Sequence, residues 1–271
     1  MLIDFHTHCF PDKIYEKAIQ KLQAASGNME IYSDGSLSGL KNSMKENGVD
    51  ISVVLNIATN AHQQKSVNDF AASINNGKDI FSFGSVFPGS DDVLDELERI
   101  KALGMKGVKF HPDYQGFEID DPVMKPIYKK VSQLGLIAVF HAGFDYGFPP
   151  PYKAMPKAMA RAASWIDSPV VAAHWGGINC GDDVLKYLCG GNLYFDLSFG
   201  YCMMPKIYAK RIIEKHGIEK LLFGTDNPWH NARLEMRLLT SLGLEKYEMD
   251  SITHQNAMKL LGINHPKNSL K

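Results

Sequence analysis

Leu2-Ile3-Asp4-Phe5-His6-Thr7-His8 begins the chain with a short apolar run that ends in a His-x-His pair. Successive side chains of a β-strand point to opposite faces, so we expect His6 and His8 to share one face. Two imidazoles on one face, at the end of a strand, can bind a single metal ion. A solvated turn is the alternative explanation, and the rest of the chain has to decide between the two.

Seven further apolar runs follow, and a segment with helical periodicity succeeds each of them. They cover residues 51–57, 80–86, 107–110, 136–140, 170–173, 193–197 and 221–223. Short continuous apolar strands indicate burial on both faces, as in a parallel sheet. Eight strand–helix units predict an α/β fold of the (β/α)8 TIM-barrel type, whose usual size is about 250 residues. An open doubly wound sheet is the alternative, but no G-x-G-x-x-G follows an early strand.

The chain is expected to form one domain over residues 1–271, because no linker or low-complexity tract divides it. Residues 26–36 are polar and irregular, so we predict a small insertion there, placed to act as a lid over the site. A helix is predicted over residues 152–166, and a last helix over residues 249–261.

The composition favours small-molecule chemistry. A net charge of -1 offers no basic footprint for nucleic acid and no polybasic membrane patch. No apolar run approaches the roughly 20 residues that span a bilayer, and no signal peptide is recognisable, so we expect a cytoplasmic protein. The four cysteines lack C-x-x-C spacing and are expected to be reduced thiols. A homodimer is left open, since dimers are common on this fold.

Polar side chains cluster where the predicted strands end, which is the edge of a TIM barrel that carries the active site. Besides His6 and His8, these positions hold Lys109, His111, His141, His174, Asp196, Ser198 and Asp226. Five of the ten histidines therefore fall on one rim. Imidazoles and a carboxylate from several strands can bind one cation, and this ligand mixture suits Zn²⁺, with other divalent metals as alternatives.

The ordered set Asp-x-His-x-His, His141, His174 and Gly224-Thr225-Asp226 resembles the amidohydrolase superfamily. The details are similar to its branch that includes the aminocarboxymuconate-semialdehyde decarboxylase-like proteins. They include Lys109-Phe110-His111-Pro112, the Gly-Thr-Asp-x-Pro-Trp segment and the closing Asn-Ala-x-x-Leu-Leu at 256–261. The resemblance extends from Ile3 to Leu261.

The resemblance implies a role for each matching residue. His6, His8, His141 and Asp226 match metal ligands, with one ion favoured over two. His174 matches a histidine beside the metal-bound water, where a neutral imidazole can take a proton, and Asp226 assists it. A second metal ligand is the alternative role for His174.

Four residues are candidates for substrate binding: Lys109, His111, Trp175 and Asn227. Lys109 has three alternatives: it binds a substrate carboxylate, it is carboxylated and bridges two metals, or it is structural. His111 either lines the pocket or is structural. The histidines at 62, 216, 230, 254 and 265 are assigned no chemistry.

The leading hypothesis is a metal-dependent hydrolase that attacks an amide, lactone or related ester through an activated water. The second is non-oxidative decarboxylation of a small unsaturated or aromatic acid. The third, a metal-holding barrel without catalysis, is disfavoured because the predicted constellation is intact.

Overall fold

The computed structural model describes residues 1–264 and contains a parallel strand at each of the eight predicted positions. The strands are β1 (Ile3–Thr7), β2 (Ile51–Leu55), β3 (Ile80–Phe83), β4 (Gly107–Phe110), β5 (Ile137–Phe140), β6 (Val170–Ala172), β7 (Tyr194–Asp196) and β8 (Leu221–Leu222). The predicted domain range extends to residue 271, and residues 265–271, with His265, lie outside the described part.

The strands pair in the order of the chain and close on themselves. Ladders join β1 to β2 and β3, and β4 through to β8. The Lys109 N–H donates to the Gly84 carbonyl at 2.8 Å, which connects β4 to the end of β3. The Phe5 N–H donates to the Phe223 carbonyl, also at 2.8 Å, which connects β1 to β8. The predicted (β/α)8 TIM barrel is therefore confirmed.

Helices fill the connections between the strands. Within residues 1–264 they are α1 (Tyr15–Ala25), α2 (Leu37–Asn47), α3 (Ala61–Ile74), α4 (Val93–Ala102), α5 (Pro112–Gln115), α6 (Lys125–Gln133), α7 (Pro156–Ala163), α8 (Gly181–Tyr187), α9 (Lys206–His216), α10 (Ala232–Thr240), α11 (Lys246–Asp250) and α12 (Asn256–Leu261). A π-helical turn, Ser251–Gln255, joins the last two.

Two helices differ from the sequence prediction. The short α5 was not expected, and it forms because Pro112 occupies its first turn while His111 precedes it as the N-cap. The helix predicted from residue 152 begins only at Pro156. The bond between Pro150 and Pro151 is cis. Earlier in the same loop, Asp145 contacts His111 at the barrel mouth.

The apolar residues form an inner and an outer core. Inside the barrel, Phe5 packs edge-on against Phe83, with ring centroids 5.9 Å apart. Met258 and Leu261 of α12 belong to the same buried cluster. The outer core lies between strands and helices, where each fully buried aliphatic or aromatic side chain contributes roughly 1.5–3 kcal/mol.

A β-bulge in β1 decides where its side chains point. The pairing register with β2 shifts between Asp4 and Thr7, so β1 carries one extra residue there. Phe5 can therefore pack in the inner core while the next residue, His6, reaches the site at the barrel mouth. Bulges of this kind re-aim a side chain near functional sites.

Residues 26–36 form an irregular segment that lies against the loop after β8. The Tyr32 N–H donates to the Pro228 carbonyl at 2.7 Å, and the Ser33 hydroxyl donates to Asn227 Oδ1 at 2.8 Å. These contacts hold the predicted insertion beside the carboxyl ends of the strands.

No helix within residues 1–264 has both the length and the apolar character needed to cross a bilayer.

Candidate metal centre

His6, His8 and Asp226 converge at the carboxyl ends of β1 and β8. The His6 Nε2 and His8 Nε2 atoms are 3.2 Å apart. Asp226 Oδ1 lies 3.3 Å from the first of these nitrogens and 3.1 Å from the second. Tetrahedral ligands at about 2.0–2.1 Å from a zinc ion lie roughly 3.3–3.4 Å from one another. The three atoms are therefore spaced as neighbouring ligands of one ion.

The outward-facing nitrogens of these two imidazoles are already engaged. His6 Nδ1 lies 3.0 Å from Asp196 Oδ2, and His8 Nδ1 lies 2.7 Å from the Leu55 carbonyl oxygen. Carbonyl and carboxylate oxygens only accept hydrogen bonds, so both Nδ1 atoms carry the proton. In the neutral tautomer with this proton placement, both Nε2 atoms offer a lone pair beside Asp226 Oδ1, which is the form that binds a cation.

His141 and His174 continue the cluster on the side of β5 and β6. His141 Nε2 donates to the Phe144 carbonyl at 3.1 Å, so its Nδ1 is the unprotonated nitrogen. That Nδ1 lies 3.2 Å from His174 Nε2. The side-chain hydrogen-bond and ion-pair contacts of His141 within residues 1–264 are with His174, Phe144 and Asp145, so its role as a fourth ligand stays a prediction.

Burial keeps these imidazoles neutral. It lowers the pKa of His6, His141 and His174 well below the usual value, and neighbouring positive groups add to the effect. For His6 the largest of these is the Lys109 amine, and for His174 a proton on His6 would act in the same direction. Neutral imidazoles are the form that binds metals and the form that accepts protons.

Lys109 lies inside the mouth of the barrel rather than at its edge. Its side chain is 1% exposed, and its Nζ lies 3.4 Å from His6 Nε2. Burial lowers the pKa of Lys109 to about 8, although Asp196 and Asp226 act in the opposite direction. The amine therefore contacts a candidate ligand directly, and each of its three predicted roles stays a prediction.

His111 contacts the carboxylate of Asp145, next to His141. Its Nε2 lies 3.1 Å from Asp145 Oδ2, and its ring stacks on the His141 ring with centroids 4.1 Å apart. Because the two rings stack, His111 supports the orientation of His141. Its predicted contact with substrate stays untested.

Asn227 and Trp175, the other two residues predicted to bind substrate, are both buried. Asn227 is 2% exposed, and its side chain accepts from Ser33 and donates to Ser43 Oγ at 3.2 Å. Trp175 is 1% exposed, and its Nε1 has no hydrogen-bond partner within residues 1–264. These contacts give Asn227 a role in holding the irregular segment, and direct substrate binding by either residue stays a prediction.

Asp4, the acidic residue of the Asp-x-His-x-His pattern, fixes the two halves of the site to each other. Its Oδ1 accepts the N–H groups of Thr225 and His6, and its Oδ2 accepts the Thr225 hydroxyl at 2.7 Å. Burial raises its pKa to about 8. Asp226, the residue after Thr225, has a backbone φ of 66°. This is a left-handed conformation that non-glycine residues adopt at strained functional positions.

Several site residues were given no role from the sequence. Asp196 and Ser198 stood out as polar residues at a strand end, and both contact the site histidines. His230 was assigned no chemistry, yet its Nδ1 lies 2.5 Å from buried Glu235 and its ring stacks on Phe199. The sequence signal for Asp196 and Ser198 was their Asp-x-Ser spacing at the end of β7.

Sequence and structure comparisons agree on the kind of protein. The family model described as amidohydrolase matches residues 3–263. None of the curated protein sequences compared with this chain matches it.

Solved structures share the fold at low sequence identity. An uncharacterised TIM-barrel protein from Bordetella bronchiseptica is 18% identical with a TM-score of 0.76, covering 96% of this chain and 98% of its own. The 5-carboxyvanillate decarboxylase from Sphingomonas paucimobilis is 15% identical with a TM-score of 0.70, covering 97% and 99%. A probable 2-pyrone-4,6-dicarboxylic acid hydrolase from Acinetobacter baumannii is 16% identical with a TM-score of 0.67, also covering 97% and 99%.

The resemblance inferred from the motifs is therefore confirmed. The neighbours include a decarboxylase and a hydrolase, so they agree on the barrel and differ in the reaction. With its family match over residues 3–263 and a cluster of His and Asp side chains that can hold a metal, the chain belongs to the amidohydrolase family.

Proposed function

We propose that this protein is a metal-dependent hydrolase that acts on a small amide, lactone or related ester. One observation carries the proposal: His6 Nε2, His8 Nε2 and Asp226 Oδ1 lie 3.1–3.3 Å from one another, which is the spacing of neighbouring ligands of one ion. His174, a neutral imidazole, belongs to the same cluster.

The residues that would hold the ion are His6, His8, Asp226 and His141. Their N,N,N,O donor set suits Zn²⁺, and we propose a single ion for all four. When bound, a divalent ion supplies Lewis acidity, which polarises a carbonyl group and brings the pKa of water towards neutrality.

His174 is the candidate general base. Its Nε2 faces His141 at 3.2 Å, while its Nδ1 lies 2.9 Å from Ser198 Oγ. A neutral imidazole with one nitrogen directed into the site can accept a proton from water and return it to a leaving group. Asp226 Oδ1 lies within the same cluster and can accept a hydrogen bond from the attacking water.

Decarboxylation of a small unsaturated or aromatic acid is the alternative, and Lys109 is the observation that favours it. A decarboxylase needs a cation that holds the substrate carboxylate, and the Lys109 amine lies 3.4 Å from His6 Nε2. The same ligands serve both reactions in this proposal.

Metal content tests the first step. We expect about one divalent ion per chain in wild-type protein and a large loss in His6→Ala. His62→Ala is the matched control, because His62 is exposed on α3. Equal, near-zero metal in all three proteins would overturn the proposal.

A substrate panel tests the reaction. Zinc-loaded protein is assayed for acid release from lactones, amides and esters, and for carbon dioxide release from unsaturated and aromatic acids. We expect hydrolysis, reduced roughly 10²–10⁴-fold in His174→Asn. Carbon dioxide release without hydrolysis, abolished in Lys109→Met, would instead establish the alternative.

A further inference from the structure

Asp196, at the end of β7, contacts both a candidate ligand and the candidate base. Its side chain is 0% exposed. Oδ2 accepts from His6 Nδ1 at 3.0 Å, and Oδ1 accepts the backbone N–H groups of His174 and Ser198 at 3.2 Å each. The Ser198 hydroxyl makes a further, very short contact to Oδ1. All four partners of this carboxylate are therefore donors.

The Ser198 hydroxyl connects the Asp196 carboxylate to the His174 ring by hydrogen bonds. Its single hydrogen is directed to the Asp196 carboxylate, which is the stronger acceptor. The Ser198 oxygen then accepts from His174 Nδ1, 2.9 Å away. His174 consequently carries its proton on Nδ1 and presents an unprotonated Nε2 to the site.

The packing at Gly224 leaves no spare room around this network. A Cβ atom at Gly224 would lie 3.1 Å from His6 Cβ, 3.2 Å from Ser198 Cβ and 3.4 Å from Asp196 Oδ1. The two carbon–carbon distances are shorter than ordinary van der Waals contacts, and the distance to Asp196 Oδ1 leaves no gap. The glycine of the Gly-Thr-Asp motif therefore allows the three side chains to come together.

We propose that Asp196 and Ser198 are positioning residues that fix the tautomers of His6 and His174. Asp196 holds the His6 proton on Nδ1, which leaves Nε2 free to bind a metal. Through Ser198, the same carboxylate holds the His174 proton on Nδ1, which leaves Nε2 free to accept a proton. This inference rests on the proposed metal-dependent function.

Asp196→Asn separates this role from simple packing, because it keeps the size of the side chain. The two backbone N–H groups on Oδ1 require an oxygen there, so the new amide group is directed to His6 Nδ1. An N–H group facing Nδ1 forces the His6 proton onto Nε2, the nitrogen that should bind the metal.

Zinc affinity measures the effect on His6. A zinc-chelating dye is titrated against each folded protein, with folding checked by circular dichroism. We expect affinity to fall roughly 10–100-fold in Asp196→Asn. Ser198→Ala should lose at most about fivefold, since it removes the 3.2 Å contact between Ser198 Oγ and His6 Nδ1 but leaves the 3.0 Å Asp196–His6 contact in place. Glu96→Gln, a buried carboxylate on α4 beside Arg99, is the matched control and should retain wild-type affinity.

Imidazole ¹⁵N NMR measures the effect on His174. This test uses Ser198→Ala, so it remains valid even where Asp196→Asn does not fold. In wild-type protein the His174 signals should report a proton on Nδ1. In Ser198→Ala we expect the Nε2-protonated tautomer to become populated, while zinc remains bound.

The outcomes are distinguishable. Wild-type protein that fails to bind zinc would overturn the proposed function and this inference together. Wild-type binding with equal affinity in Asp196→Asn, or an unchanged His174 tautomer in Ser198→Ala, would overturn the positioning role and leave the proposed function standing.

Discussion

The barrel mouth and the contact between β7 and α9 both bury histidines, but they use the ring nitrogens differently. At the end of α9, His216 is 7% exposed and stacks on Phe195 with ring centroids 3.9 Å apart. Its Nδ1 accepts the Gly190 N–H at 3.2 Å, and its Nε2 donates to the Leu193 carbonyl at 3.0 Å. At the mouth, His6 and His8 each use one nitrogen in this way and direct the other at each other.

This difference separates a structural histidine from a candidate ligand. Both nitrogens of His216 are satisfied by backbone groups, so nothing is left to bind an ion. Each mouth imidazole has one nitrogen engaged by an acceptor and directs the other at a cluster of side-chain atoms. That cluster contains the other imidazole and Asp226 Oδ1, which are groups that can bind a metal ion together.

Removing a mouth histidine should give the largest effect. Structural zinc binds with an apparent 10–16 kcal/mol, so each of four ligands supplies about 3 kcal/mol, or roughly 100-fold in affinity or more. We expect His8→Ala to lose zinc affinity by this amount, measured by competition titration. His216→Phe should bind zinc as wild type does, and a matching loss in that variant would break the comparison.

Protonation of buried His216 at low pH should lower the free energy of unfolding, an effect intermediate in size between the other two predictions. Burial lowers its pKa to about 4, from a usual value near 6.5. A lowered histidine pKa gives stability that is present above pH 6.5 and is lost as the pH falls towards 4. Between pH 7 and pH 5, with a chelator present, wild type should lose about 2 kcal/mol more unfolding free energy than His216→Phe. Parallel losses in the two proteins would show that another group dominates.

The smallest effect is expected at the irregular segment over residues 26–36. Ser33→Ala removes the hydrogen bond to Asn227 Oδ1 and should lower local stability by about 1 kcal/mol. Hydrogen exchange of the segment should accelerate about fivefold while zinc affinity is unchanged. Ser73→Ala, an exposed serine on α3, serves as control. A loss of zinc affinity in Ser33→Ala would show that the segment is part of the metal centre.

Much of the barrel follows from local pattern. All eight strands were predicted, because continuous apolar runs between helical segments occur only where both faces of a strand are buried. Convergence of His6, His8 and Asp226 followed from the rule that parallel strands in a barrel end at one rim. The N-cap of α10 also follows a local rule, since the Asn231 side chain accepts the Leu234 N–H at 3.0 Å.

The sequence by itself determined the order of the strands and which residue types stand at their ends. Tertiary structure alone decided how those side chains are used: the bulge that re-aims His6, the internal contacts of Asn227 and the pairing of Asp196 with His6 across 190 residues. Strand identity depends on nearby apolar residues, whereas a tautomer depends on the acceptor that packing brings beside the ring. That acceptor comes from a distant strand, and no local spacing specifies it.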